Sequence, residues 1–192
     1  MSLSLSDVVN NHTRKTVLKT FRFSEDLMHS LENEAEEEGT TINALVNTVV
    51  TQHLEWEVKA RRFGYTPMYK QLLRVLIERL DDESLAQIGT ALPDMWKEMT
   101  EFWFQNSSVE KVLEFLTFRS RYVPQMQTEI KLEDSTCTIV YHHDLGSKYS
   151  ILIRSGLDEL VRRSFRTPPT VDVGETVVKA QFPVPPGNSW QD

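Results

Sequence analysis

His142, His143 and Asp144 stand together in a short run of 192 residues that holds only five histidines, and imidazoles beside a carboxylate invite a metal-site or acid-base reading. The surrounding pattern is that of a strand, on which neighbouring side chains point to opposite faces, so the two rings are not expected to share one ion. The reading favoured for this trio is a polar strand end leading into a helix; a metal-dependent sensor using His142 or His143 is the weaker alternative. Cys137 is the only cysteine, which excludes an internal disulfide and any multi-cysteine zinc site. Mid-strand, it reads as a small core residue. The run DMWKEMTEFWF places Met95, Trp96, Met99, Phe102, Trp103 and Phe104 at helical spacing, read as core or a dimer face in preference to a ligand pocket. There is no phosphate-binding glycine loop, no nucleophile elbow and no paired carboxylates in a recognisable context, so neither an enzyme nor a cofactor is expected.

The charge pattern points elsewhere. The chain carries a net charge of −7, yet residues 1–24 hold Arg14, Lys15, Lys19 and Arg22 against Asp7 alone, and residues 25–38 hold seven carboxylates and no Lys or Arg. A basic stretch followed by an acidic helix offers one face to an anion and the other to water. The run ENEAEEEG is accordingly read as a solvated helix back. No apolar run reaches the roughly 20 residues of a membrane span, and the first residues lack the features of a secretory signal, so a cytoplasmic protein is expected.

These side chains must be held by elements. VLKTFRFSEDL alternates as a strand from about Arg14 to Phe23, then opens a helix capped by Ser24, with Glu25 and Asp26 in its first turn. Leu27, Leu31 and Ala35 give that helix an apolar stripe, and Gly39 ends it. Thr40 or Thr41 caps a second helix, with Ile42, Leu45, Val46, Val49, Val50 and Leu54 on one face, running to about Val58. A third helix is expected with Thr66 as cap and Pro67 at its first position, and others at 83–91, at 93–105 opening on Pro93, and at 108–121 with Ser107 and Glu110 as a capping box. A β-hairpin turning at Glu133-Asp134-Ser135 follows. Next come a helix over GSKYSILIRSGLDELVRRSF and two short strands, or one bent strand, around Gly174. The sheet should bury Ile130, Leu132, Ile139 and Tyr141 against Leu152, Leu157 and Leu160.

RFSEDL (Arg22 to Leu27) and GTTINALVN (Gly39 to Asn47), at their separation, resemble the ribbon-helix-helix family of DNA-binding proteins, the Arc/MetJ type, over about 45 residues. HHDLGSKYSILIRSGLDELV is similar to tails of uncharacterised archaeal ribbon-helix-helix proteins. The resemblance implies a mainly α fold with a small α+β C-terminal domain, in which the N-terminal ribbon-helix-helix forms an intertwined homodimer. It implies a sequence-specific transcriptional regulator that binds double-stranded DNA by placing a two-stranded ribbon in the major groove. Carried over by position, Leu18, Thr20 and Arg22 read bases while Phe21 and Phe23 face the helices. Arg14, Lys15, Thr40, Thr41 and Asn43 contact phosphates. The sequence departs from the family at Lys19, which stands where an aliphatic residue is usual, and at Leu18, where a polar one is. The organisation expected is a disordered 1–12, a DNA-binding and dimerisation domain over 13–62, a helical then α+β domain over 65–182 for a small-molecule or protein effector or for assembly, and a flexible tail at 183–192. The alternative is an antitoxin-like protein-interaction module whose ribbon only dimerises.

Overall fold

A computed structural model describes residues 16–184. The expected disorder of 1–12, and Arg14 and Lys15, lie outside the described residues, as does all of the expected tail beyond Val184. The chain divides into two compact units at Tyr65 and Thr66.

In the N-terminal unit, residues 16–24 form no strand, and regular structure starts with α1 (Glu25–Glu37). This overturns the expected fold class: among the described residues the only sheet lies in the C-terminal part, and no N-terminal ribbon-helix-helix is formed. The physical reason is that alternation alone does not make a strand. Backbone N–H and C=O groups need a ladder partner, and none of the described segments pairs with 16–23. The helices themselves follow their caps. Ser24 accepts from the Leu27 N–H at 3.4 Å, Gly39 takes the left-handed conformation at φ 64°, and Thr41, not Thr40, caps α2 (Ile42–Gln52) by accepting from the Ala44 N–H at 3.2 Å. The second helix does not stop near Val58. It runs through a π turn at His53–Glu57 into α3 (Val58–Phe63) and ends at Gly64, whose φ of 96° suits a residue without a side chain. Burial in this unit is confined to Ala35, Leu45, Trp56 and Ala60.

The C-terminal unit opens with α4 (Lys70–Glu78), three residues later than Pro67 suggests. Its register is set by long-range anchors: Lys70 Nζ lies 2.6 Å from Asp144 Oδ2, the Arg74 guanidinium donates to the Asp144 carbonyl, and Lys148 Nζ donates to the carbonyls of Glu78 and Leu80. Next is α5 (Asp82–Phe104), one helix where two are expected, with Pro93 inside it. Proline removes an N–H and crowds the carbonyl four residues back. That carbonyl belongs to Gly89, which sits at the crossing with α7 (Ser147–Phe165): a Cβ built on Gly156 would lie 3.2 Å from Gly89 O. The interruption is thus absorbed where the neighbouring helix comes closest. α6 (Val109–Ser120) is capped by Ser108, not Ser107, which accepts from the Lys111 N–H.

β1 (Met126–Glu133) and β2 (Thr136–His143) form the hairpin, turning through Asp134 and Ser135, both left-handed at φ 47° and 63°. After α7, β3 (Thr170–Val173) and β4 (Val177–Pro183) pair around Gly174, giving an antiparallel sheet of order β1-β2-β4-β3. α7 and α6 cover one face, and α5 packs on α7. Ile130, Ile139, Tyr141, Leu152, Leu157 and Leu160 are buried as their periodicity requires, but Leu132 is 37% exposed at the hairpin end. Pro183 closes β4 and Val184 is buried, its N–H donating to Ser135 O, so the first two residues of the expected loose tail are part of the fold. With α2 and α3 counted as one continuous helix, the described residues form six helices and four strands.

Candidate nucleic-acid interface

The segment ahead of Ser24 puts two kinds of side chain in alternation. Phe21 and Phe23 line an apolar depression of about 290 Å³ whose floor is Leu27 and Leu31 from α1 and Val46, Val49 and Val50 from α2. Leu18, Thr20 and Arg22 are the alternate residues and are exposed, Leu18 at 93%. Phe21 also stays 71% exposed, and Val49, Val50 and Leu54 remain open on α2. Burying such side chains contributes roughly 1.5–3 kcal/mol each, so the face is a large unused store of association energy.

Beside it is the start of α2. Thr41 Oγ1 accepts one N–H of the first turn and Thr41 O takes that of Leu45, which leaves the N–H groups of Ile42 and Asn43 without an intrahelical acceptor. Thr40, Thr41 and Asn43 are exposed, and the Asn43 carbonyl is engaged by Asn47 Nδ2 at 2.7 Å. These are the elements of an anion seat. The structure therefore brings Thr41 and Asn43 to one helix start and places Thr20 and Arg22 on an open segment. On α1 the carboxylates Glu32, Glu34, Glu36 and Glu37 face solvent, and Ala35 alone is buried.

The histidine pair separates as strand geometry demands. His142 lies on the open sheet face, 4.0 Å from Glu129 Oε1. His143 is buried, and its Nδ1 accepts from the Leu145 N–H at 3.3 Å, which puts the ring proton on Nε2, 2.9 Å from Ser150 Oγ. Ser150 Oγ in turn donates to the Gly174 carbonyl at 2.7 Å. This is the reverse of a nucleophilic pair, in which the imidazole would take the serine proton. Burial lowers the His143 pKa below its usual value, opposed by the Asp144 charge and assisted by His142. Asp144 points away to Lys70. No group of three or more metal-ligating side chains occurs among the described residues. Ser150 escaped the reading of the sequence. The signal was present, because His143 shares its strand face with Cys137, Ile139 and Tyr141, and a core histidine needs a core partner.

Cys137 is fully buried and its thiol is pushed up to about 12 by desolvation, which leaves it unreactive. No helix among the described residues is long and apolar enough to cross a membrane. No model of a known protein family matches the chain, and no curated protein is significantly similar to it.

Proposed function

We propose that this chain is a DNA-binding regulator, not an enzyme, that acts in the cytoplasm as a self-associated pair. Its exposed segment 16–24 enters the major groove and the start of α2 holds a phosphate. Arg22 reads guanine through O6 and N7, Thr20 meets either base type, and Leu18 touches a thymine methyl. The C-terminal unit receives a small-molecule or protein effector or joins pairs along the DNA. One observation carries the reading: Phe21 and Phe23 alternate with Thr20 and Arg22 on a segment that the other described residues leave largely exposed, at the edge of an apolar depression. The apolar half suits a second copy and the other half suits the duplex. The likeness of RFSEDL and GTTINALVN to DNA-binding sequences supports the same conclusion.

Selection of bound sequences from a random DNA pool, followed by gel shift, tests it. The expected result is an enriched palindrome bound with steep salt dependence, and Arg22→Ala losing about 1–3 kcal/mol at one base position. Failure to enrich any sequence at low salt would refute it. A second reading, an antitoxin-like interaction module, draws on the exposed carboxylates of α1. A stoichiometric protein partner co-purifying without nucleic acid favours that alternative.

A further inference from the structure

We infer that the C-terminal unit contains a proton-operated latch, in which protonation of His143 breaks its bond to the Leu145 amide, draws the Asp144 carboxylate away from Lys70 and releases α4. The latch does not rest on the DNA-binding reading.

The ring is wired for its neutral form. Nδ1 accepts from the Leu145 N–H at 3.3 Å, and the Nε2–H is spent on Ser150 Oγ, which donates to the Gly174 carbonyl at 2.7 Å. A second proton can enter only at Nδ1, where it meets the Leu145 N–H donor to donor. The other side of the ring is fixed: Ser150 is fully buried, and the His143 backbone N–H donates to the Thr176 carbonyl. The conflict therefore falls on residues 144–146, where Gly146, left-handed at φ 86°, supplies a joint.

An acceptor for the new proton is next door. Asp144 Oδ2 holds Lys70 Nζ at 2.6 Å, but Asp144 Oδ1 is buried and has no hydrogen-bond partner among the described residues. A carboxylate oxygen without a donor, beside an imidazole, is half of a charge-assisted pair that a proton on Nδ1 completes. The same short segment holds α4. The Arg74 guanidinium donates to the Asp144 carbonyl, and Lys148 Nζ to the carbonyls of Glu78 and Leu80. Apolar anchoring is thin, with Ile77 the buried residue of the helix. Moving 144–148 thus removes the polar ties on which α4 depends.

The remaining ionisable groups around the ring are engaged elsewhere. On α7, Tyr149 meets it edge-on at 4.9 Å, and on β2 Tyr141 lies at 6.4 Å with Arg119 of α6 donating to its hydroxyl. Glu175, in the β3–β4 turn, reaches Ser150 through its backbone carbonyl, Glu78 of α4 faces Gly146, and His142 stands on the opposite sheet face beside Glu129. Burial lowers the His143 pKa below 6.5, and the Asp144 charge works against that lowering. The latched form therefore takes the proton less readily than an ordinary imidazole, and acid favours release. Between the folded-state pKa and about 6.5, the opening constant rises by at most about tenfold for each pH unit of fall.

Hydrogen exchange of the full chain, corrected for intrinsic rates, tests the latch. From about pH 7.5 to about pH 5.5 the α4 amides are expected to lose protection about threefold or more, while those of α6 and β4 hold. His143→Asn, whose Oδ1 still accepts from the Leu145 N–H but takes no proton, should flatten the α4 response. Asp144→Asn keeps the ring; its imidazole nitrogen shifts should titrate at lower pH than in the parent, and the α4 response should move down with them. Protection of α4 that is indifferent to pH, that falls equally in His143→Asn, or that falls only together with α6 and β4 would overturn the latch. So would an α4 response that ignores the shifted titration in Asp144→Asn, and that comparison decides alone should His143→Asn fail to fold.

Discussion

Gly89→Ala is the sharpest test of how the C-terminal unit is packed. Alanine is the better helix former by about 1 kcal/mol, so local propensity alone calls the change stabilising. The helix crossing calls it the opposite. A Cβ at Gly89 would lie 2.4 Å from the Leu152 carbonyl oxygen and 2.7 Å from Ser155 Cβ. The first of these belongs to the backbone of α7 and cannot turn aside, so the two helices must part by most of an ångström. Overpacking of this kind costs about 1–3 kcal/mol, and here the upper half of that range applies. Subtracting the propensity gain leaves a net loss of about 1–2 kcal/mol, or roughly 5–10 °C in melting temperature for a unit of this size. At Gly156 the nearest atom is Leu92 Cδ1 at 2.8 Å, the far end of a side chain that can rotate, so Gly156→Ala should lose less. Thermal melts of both variants, with exposed Ala91→Gly as a propensity control, settle the matter. A Gly89→Ala protein melting at or above the parent would refute the account of the crossing.

Three further outcomes are expected. Because burial holds the His143 pKa below 6.5, the unfolded chain binds that proton first, and stability present above about pH 6.5 is lost as pH falls from there toward the folded-state pKa. Melts between pH 4 and 8 should show a slope of at most about 1.4 kcal/mol per pH unit from this group, absent in His143→Gln. Ser150→Ala strands the His143 Nε2–H and the Gly174 carbonyl, and should cost about 1–3 kcal/mol in chemical denaturation. Cys137 should resist a thiol reagent in the native protein and react on unfolding; fast native labelling would contradict its burial.

Elements governed by local signals were legible from residues alone. Ser24 and Thr41 cap the first two helices, and the short turn at Asp134 and Ser135 closes the hairpin. What escaped depended on distant partners. The alternation of 17–23 promised a strand that nothing in the described chain pairs with, and Pro93 suggested a helix boundary that packing at Gly89 and Gly156 overrides. The start of α4 is dictated by Asp144 some seventy positions away, and not by Pro67. For the candidate interface, the alternation of Phe21 and Phe23 with Thr20 and Arg22 was readable and the choice between Thr40 and Thr41 was not. Deciding that needed the hydrogen bond from Ala44.

The strand order β1-β2-β4-β3 has a kinetic consequence. Each hairpin closes over a short stretch of chain, whereas the seam where Tyr141 meets Val178 forms only after α7 has been traversed. Loop-closure entropy therefore falls almost entirely on that central joint. The hairpins close locally and are marginal until joined, so contact order puts the zipping of β2 to β4 last, and the apolar underside of the sheet stays wet until then.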